Sequence, residues 1–249
     1  MNVKLLFSLH LIPVACIFFA TMMAGAAPVE GPQGEWVVLL HGLGRSSWSM
    51  KRVQWALESA GYNVINLSYP SRRNSIERLS EKYLHRIIAT KVPLGAAKVH
   101  FVTHSLGGIF LRRYLAHHTM TNLGRVVMLA PPNHGCALAD SFRRHALGRW
   151  IIGRAGRELG TAPRDLPQRL GPVDFPVGVI AGDVSLNPFF SRVLEGPNDG
   201  KVTVESTRIS GMSDFIVVHS SHTWMMWRAE TLHYVLAFIR DGKFGQNKT

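Results

Sequence analysis

Cysteine is almost absent from this 249-residue sequence, which contains only Cys16 and Cys136. Cys16 lies in an apolar N-terminal segment that we expect to be removed, so Cys136 would be the only thiol of the mature chain. A single thiol cannot form an intramolecular disulfide, which excludes the small disulfide-stapled scaffolds. The fold must therefore depend on its hydrophobic core.

Acidic residues are also scarce, with 16 Asp and Glu against 28 Lys and Arg, and the formal net charge is +12. A basic protein can meet anionic lipid, polysaccharide or nucleic acid. The sequence has no nucleic-acid-binding motif and no aromatic residues interleaved with a basic stripe, so nucleic acid is not an expected partner. An anionic membrane surface stays open as a partner on charge alone.

One long apolar run stands at the N-terminus. Leu5–Met23 is almost continuously apolar, with Lys4 before it and the small residues Ala24–Ala26 after it. This order is typical of a secretory signal peptide, which we place at residues 1–26, and it predicts export to the periplasm or the extracellular medium. An uncleaved membrane anchor is the alternative, because the run approaches the length that spans a bilayer.

Residues 27–249 are enough for one domain with a sizeable core, and they contain neither an internal repeat nor a low-complexity tract. Short apolar segments predict strands, and amphipathic or charged segments between them predict helices. The predicted strands are 36–40, 64–67, 99–103, 126–130, 176–181 and 215–219, and the predicted helices are 50–60, 76–89, 106–117 and 224–239. This alternation predicts an α/β fold with a mostly parallel sheet and helices on both faces.

Residues 137–174 interrupt the alternation between the fourth and fifth predicted strands. Phe142, Ala146 and Trp150 share one face of an amphipathic segment, and residues 137–170 hold seven Arg against three acidic residues. Long insertions in compact domains are often functional covers. We therefore expect a helical cap or lid, whose basic amphipathic face could also settle on anionic lipid. An ordinary packed cap with its Arg side chains in water is the alternative.

The segment Thr103–Gly108 (THSLGG) follows a predicted strand and opens a predicted helix. A sharp strand-to-helix turn of this kind exposes a serine at the top of the sheet, and the serine here is Ser105. Gly107 and Gly108 supply the small residues that the turn needs, whereas Thr103 departs from the usual first glycine of G-x-S-x-G. The context predicts that Ser105 is a nucleophile. A serine that only caps the helix is the alternative.

A second glycine-containing segment, His41–Gly44 (HGLG), follows the first predicted strand. Hydrolysis of an ester passes through a tetrahedral oxyanion, which preorganised backbone N–H groups stabilise. The expected donors are the amide of Leu106, directly after the serine, and the amide of Leu43. Both segments end strands of one predicted sheet, so we expect them to meet at its carboxyl edge.

These segments resemble the bacterial lipase and esterase branch of the α/β-hydrolases. The resemblance rests on four segments that occur in order between about residues 36 and 244: His41–Gly44, His104–Gly108, Asn198–Val202 and His222. It implies the α/β-hydrolase fold and a Ser-His-Asp triad in the chain order nucleophile, acid, histidine. Calcium is not implied, because Thr223 and Trp224, rather than an aspartate, follow the histidine.

The acid and the base each have two candidates. Asp199 lies in an Asn-Asp-Gly turn and resembles the Asp-Gly-x-Val acid segment of these lipases, whereas Asp183 directly follows the fifth predicted strand. His222 precedes the final predicted helix, where the family places its triad histidine, and His219 ends the last predicted strand. We favour Asp199 and His222, with Asp183 and His219 as second choices.

The resemblance predicts hydrolysis of carboxylic esters, from small molecules or lipids, through an acyl-enzyme on Ser105. Acyltransferases and amide-cleaving serine enzymes share this triad and stay open as alternatives, as does an inactive binding protein that retains the fold. No cofactor is expected. Zinc is not expected either, because His219 and His222 have no third ligand at a suitable spacing.

Overall fold

The computed structural model describes residues 34–245, so the predicted signal peptide lies outside the described residues. The strands are β1 (Glu35–Leu40), β2 (Asn63–Leu67), β3 (Lys98–His104), β4 (Leu123–Leu129), β5 (Val177–Gly182) and β6 (Asp214–Val218). They form one sheet in the order β2-β1-β3-β4-β5-β6, and neighbouring strands pair in parallel. The predicted parallel sheet is therefore confirmed.

Helices occupy most of the connections between these strands. They are α1 (Lys51–Ser59), α2 (Ile76–Arg78), α3 (Arg86–Lys91), α4 (Leu106–Leu115), α5 (Ala137–Arg143), α6 (Ala146–Arg157), α7 (Leu166–Arg169), α8 (Pro188–Ser191), α9 (Val204–Thr207) and α10 (Ala229–Asp241). A π-helix, Leu79–His85, joins α2 to α3, so the predicted helix over 76–89 is a composite of three helical segments. None of the described helices has the length and apolarity needed to cross a membrane.

Both faces of the sheet are buried, because successive residues of a strand point to opposite sides. On one face, Val38 belongs to a buried cluster that includes Ile109 of α4. On the other face, Val37 belongs to a cluster with Leu57 of α1 and Phe238 of α10. Burial on both sides explains why the strands are rich in apolar residues, as in β1 and β5.

The final helix begins later than predicted. The prediction covered 224–239, but α10 is preceded by a separate 3-10 helix, Met225–Trp227. Arg228 between the two has extended backbone, with φ −78° and ψ 130°. The guanidinium of Arg52 donates to the carbonyl of Trp227 at 2.6 Å, whereas a continuous helix would use that carbonyl itself. The prediction was wrong at this end because apolar periodicity does not detect a single extended residue.

The segment 137–174 contains α5, α6 and α7 and lies between β4 and β5 in the chain. α6 is kinked at Gly153, where φ is +67° and ψ is −164°. At the kink, the N–H of Arg154 donates to the carbonyl of Arg72 at 2.9 Å. This bond joins the insertion to the loop after β2, at the carboxyl edge of the sheet.

Candidate active site

Ser105 lies alone between β3 and α4, on the turn that joins the strand to the helix. Its backbone has φ +54° and ψ −121°, a conformation that residues other than glycine rarely adopt. The Ser105 N–H donates to the carbonyl of Leu129 at 2.8 Å, and the N–H of Gly108 donates to the Ser105 carbonyl at 2.9 Å. Strain of this kind persists where the surrounding structure enforces it, and it often marks a functional residue.

The residues around this turn fit it tightly. A Cβ on Gly107 would lie 2.5 Å from the carbonyl oxygen of Leu40, so the close approach of α4 to β1 requires glycine. Thr103, where the usual pattern has glycine, belongs to β3 and is completely buried. Because its backbone is extended, this position does not need the conformational freedom of glycine, and threonine fits.

Asp199 and His222 form a buried pair in the loops after β5 and β6. Nδ1 of His222 contacts Oδ2 of Asp199 at 2.6 Å, and the N–H of His222 donates to the Asp199 carbonyl at 3.0 Å. The other carboxylate oxygen accepts from the N–H groups of Lys201 and Val202 at 2.9 and 2.8 Å. The Asp199 and His222 side chains are 1% and 6% exposed. An ionised carboxylate only accepts hydrogen bonds, so the proton is on Nδ1 and Nε2 is an acceptor.

The second-choice residues contact each other at the surface. Nδ1 of His219 lies 3.1 Å from Oδ1 of Asp183, and their side chains are 82% and 37% exposed. Ser105 and His222 line one cavity, and neither Asp183 nor His219 is among the described residues around it. The sequence favours Asp199 and His222 but leaves the other pair open, because it does not show which side chains lie near Ser105.

The cavity shared by Ser105 and His222 has a volume of about 340 Å³. Residues of the insertion provide most of its apolar lining, and Leu43, Pro132, Phe190 and Val202 contribute to the rest. The lining residues from the insertion are Leu138, Ala139, Phe142, Ile151, Ile152, Gly156 and Leu159. A concave site with apolar walls and a few polar groups is suited to a small molecule with an apolar part.

The loop after β1 is fixed by His41 and Tyr69. Their rings stack with centroids 3.9 Å apart, and the Tyr69 hydroxyl donates to the His41 carbonyl. Nδ1 of His41 donates to the carbonyl of Gly42 at 2.9 Å, and burial lowers the pKa of His41, which keeps the ring neutral. Within residues 34–245, the backbone N–H groups of Leu43 and Leu106 donate to no other group. Both amides are therefore free for a ligand.

His104 packs against His222, with ring centroids 4.7 Å apart. Its Nε2 donates to the carbonyl of His222 at 3.0 Å, and its buried Nδ1 has no partner among the described residues. Burial, and then the charge of His222, lowers the pKa of His104 well below its usual value. A Cβ on Gly42 would lie 2.8 Å from Nδ1. His104 is a neutral residue that positions the backbone of His222.

Sequence reasoning missed several residues around the cavity. Tyr69, two residues after β2, does not line this cavity but fixes the loop after β1 by stacking on His41. Its position directly before Pro70 gave only a weak signal. Lys201 and Cys136 line the same cavity, and the thiol of Cys136 donates to the Lys201 carbonyl at 3.2 Å. Burial raises the pKa of this thiol, so it stays protonated and is a poor nucleophile. No group of three or more His, Cys, Asp or Glu that could hold a metal ion lies within the described range.

A comparison with known families identifies the family of this chain. The sequence profile of the alpha/beta hydrolase family matches residues 37–240. The chain belongs to this family. Among curated proteins, none matches this hydrolase.

Solved structures share the fold of this hydrolase. Lipase BlEst2 of Bacillus licheniformis, in its propeptide form, has a TM-score of 0.62 and 22% identity, over 80% of this chain and 49% of that chain. This hydrolase therefore spans about half of that form. The metagenomic carboxyl esterase MGS0156 has a TM-score of 0.61 and 21% identity, over 80% and 68% of the two chains. Phospholipase PlaB of Legionella pneumophila has a TM-score of 0.60 and 18% identity, over 76% of this chain and 53% of that chain. At these sequence identities, the similarity shows a shared fold only.

Proposed function

We propose that this hydrolase cleaves carboxylic esters through Ser105, His222 and Asp199. The observation that carries the proposal is the buried Asp199–His222 pair, whose histidine lines the same cavity as the strained Ser105. The structural neighbours named as lipase and carboxyl esterase support an ester as the bond that is cleaved. The apolar walls of the cavity support a small-molecule or lipid-like substrate.

In the proposed reaction, Nε2 of His222 takes the proton of the Ser105 hydroxyl as Oγ attacks the ester carbonyl carbon. The oxyanion that forms accepts hydrogen bonds from the amides of Leu43 and Leu106. Collapse of this intermediate breaks the bond to the alcohol, which leaves with the proton from His222. Asp199 holds the Nδ1–H group and stabilises the imidazolium.

Water completes the cycle. His222 takes a proton from water as the water oxygen attacks the acyl carbon of the acyl-Ser105 ester. The second tetrahedral intermediate releases the carboxylic acid, and the proton on His222 returns to Oγ of Ser105. The bonds and protons of both steps balance with the protein, the ester and water alone.

A fluorophosphonate probe tests the nucleophile. We expect the probe to label Ser105 in the intact protein, and Ser105→Ala to abolish both labelling and hydrolysis of p-nitrophenyl butanoate. Labelling that persists in Ser105→Ala would overturn the assignment. A protein that binds esters but neither reacts with the probe nor hydrolyses them would be an inactive binding protein instead.

We also propose that residues 1–26 direct export, which the order of Lys4, the apolar run Leu5–Met23 and Ala24–Ala26 supports. Sequencing the N-terminus of the protein from the periplasm or the medium tests this. The expected first residue is Ala27. A membrane fraction that retains Met1 would favour the anchor instead.

A further inference from the structure

A second cavity, of about 650 Å³, lies beside the catalytic cavity and is lined by six arginines. The arginines come from three parts of the chain: Arg45 after β1, Arg72 and Arg73 after β2, and Arg149, Arg154 and Arg157 on α6. Among the described residues that line this arginine cavity, none is acidic. Gly44, Arg45 and Arg72 line both cavities, so the two are adjacent.

Ion pairs among the described residues do not balance the charges of the arginine cavity. In the described part of the chain, none of the six arginines forms an ion pair with a carboxylate. Within the insertion, Asp140 and Asp165 contact Arg143 at 2.6 and 2.7 Å. Glu158 accepts from the N–H of Ile76 at 3.2 Å, and it also interacts electrostatically with Arg157 without forming an ion pair. Like charges around one space repel each other, and a bound anion relieves this repulsion.

Contacts between α6 and the loop after β2 fix the shape of the arginine cavity. The N–H of Arg154 donates to the Arg72 carbonyl at 2.9 Å, and Nη2 of Arg72 donates to the Trp150 carbonyl at 2.9 Å. The Arg72 guanidinium also lies 5.4 Å from the centroid of the Trp150 ring. A Cβ on Gly153 would be 2.2 Å from the Arg72 oxygen, so this approach requires glycine. The arginines of α6 and those of the loop after β2 are therefore held close together without a ligand.

We propose that the arginine cavity binds a phosphate group of the substrate, so the preferred substrate is an acyl ester whose alcohol part carries phosphate. This inference rests on the proposed ester hydrolysis at Ser105. The acyl chain would occupy the apolar catalytic cavity, and the phosphate would lie next to it across Arg45 and Arg72, which line both spaces. Guanidinium groups match phosphate geometry with paired donors. Phosphate, with about two negative charges, also balances several arginines better than a carboxylate does.

Two substrates that differ only by phosphate test the proposal: dibutanoylglycerol and its phosphate monoester, both used as soluble monomers. The test variant is the triple substitution Arg149→Gln, Arg154→Gln and Arg157→Gln, because these residues line the arginine cavity and not the catalytic cavity. The control is Arg78→Gln, Arg86→Gln and Arg144→Gln, which removes the same charge from exposed residues that line neither cavity. Melting temperatures establish that both variants are folded.

We expect the unsubstituted protein to prefer the phosphate ester. The cavity variant should lower kcat/KM for the phosphate ester roughly tenfold, which corresponds to three partly exposed charge contacts. Its kcat/KM for the neutral ester should stay within about twofold, and the control variant should keep the original preference. Inorganic phosphate should compete with the phosphate ester in the unsubstituted protein and compete more weakly in the cavity variant.

Other outcomes would contradict the proposal in distinct ways. Hydrolysis of the neutral ester without preference for phosphate, or equal losses in both variants, would overturn the phosphate site and leave the esterase intact. Failure to hydrolyse either ester, together with no probe labelling of Ser105, would overturn the proposed function itself. Vesicles of an ether-linked anionic phospholipid distinguish a membrane surface from a substrate phosphate. A cavity variant that loses only vesicle binding, with unchanged turnover of the soluble phosphate ester, would overturn the proposal in favour of a membrane surface.

Discussion

The carboxylate of Asp199 accepts three hydrogen bonds, two from backbone amides and one from the ring of His222. It is therefore fixed in place, and it decides which nitrogen of His222 carries the proton. An amide at this position could keep the backbone contacts through its oxygen, but it would direct an NH₂ group at Nδ1. The imidazole would then carry its proton on Nε2, the nitrogen that we propose accepts the proton of Ser105.

Asp199→Asn should lower kcat by roughly four orders of magnitude, because the wrong tautomer of His222 then faces the serine. The measurement is steady-state hydrolysis of p-nitrophenyl butanoate. Asp183→Asn is the matched control, since Asp183 contacts His219 at the surface, and it should stay within about twofold of the unsubstituted protein. The reverse result, with Asp183→Asn inactive and Asp199→Asn active, would make Asp183 the acid.

Gly107→Ala should destabilise the fold by roughly 1–3 kcal/mol, because the new methyl group would lie 2.5 Å from the Leu40 oxygen. This strain outweighs the helix preference for alanine of about 1 kcal/mol. Urea unfolding, followed by circular dichroism, gives the free energy of unfolding. Gly95→Ala is the control, because a Cβ there meets nothing within 4 Å. If the two variants unfold at the same urea concentration, the packing of α4 on β1 is looser than described.

At the scale of the elements, the shape of α6 depends on the glycine at its kink, Gly153. Gly153→Ala introduces both a strained φ of +67° and a contact of 2.2 Å with the Arg72 oxygen. Gly171→Ala is the matched control, because its φ is +63° and its surroundings are open. We expect Gly153→Ala to cost roughly 1–3 kcal/mol more than Gly171→Ala. Limited proteolysis should then cut the insertion faster in Gly153→Ala, and equal rates would contradict a tight contact.

Much of the sheet could be predicted from the sequence because it is buried on both faces. Strand segments such as Trp36–Leu40 are then continuous apolar runs that indicate a buried strand. The turn at Ser105 could also be predicted from the sequence, because few residues tolerate its backbone conformation and its close packing. In these places, local sequence and tertiary structure impose the same requirement.

Other features depend on contacts between segments that are distant in the chain. The start of α10 depends on Arg52, which occupies the carbonyl of Trp227. The choice between Asp199 and Asp183 depends on which one His222 reaches. The arginine cavity draws its residues from three separate segments, so composition predicted a basic insertion without predicting the cavity. Sequence spacing alone does not contain these distances.

For the whole molecule, stability should fall as the pH drops below neutral. Burial lowers the pKa of His41, His100 and His104 below the ordinary value of 6.5. Between the lowered pKa and about pH 6.5, the unfolded chain binds protons that the folded protein excludes. The contribution of these residues is therefore fully present above about pH 6.5 and is lost as the pH falls through the folded-state values.

Melting temperatures at about pH 7.5 and about pH 5 test this dependence, with the lower temperature expected at the acidic pH. His104→Gln should make the dependence shallower, because glutamine can still donate to the His222 carbonyl but does not titrate. A pH dependence as steep as that of the unsubstituted protein would show that His104 does not contribute to it.

The parallel strand order has a consequence for refolding. The groups proposed to react come from loops after β1, β3, β5 and β6, and the turn at Ser105 also needs the Leu129 carbonyl of β4. Parallel pairs join distant parts of the chain and form slowly, because each closes a long loop. A refolding chain would thus regain its helical circular dichroism signal before it can turn over substrate. Enzymatic competence would be among the last properties to return, and its half-time would report completion of the sheet.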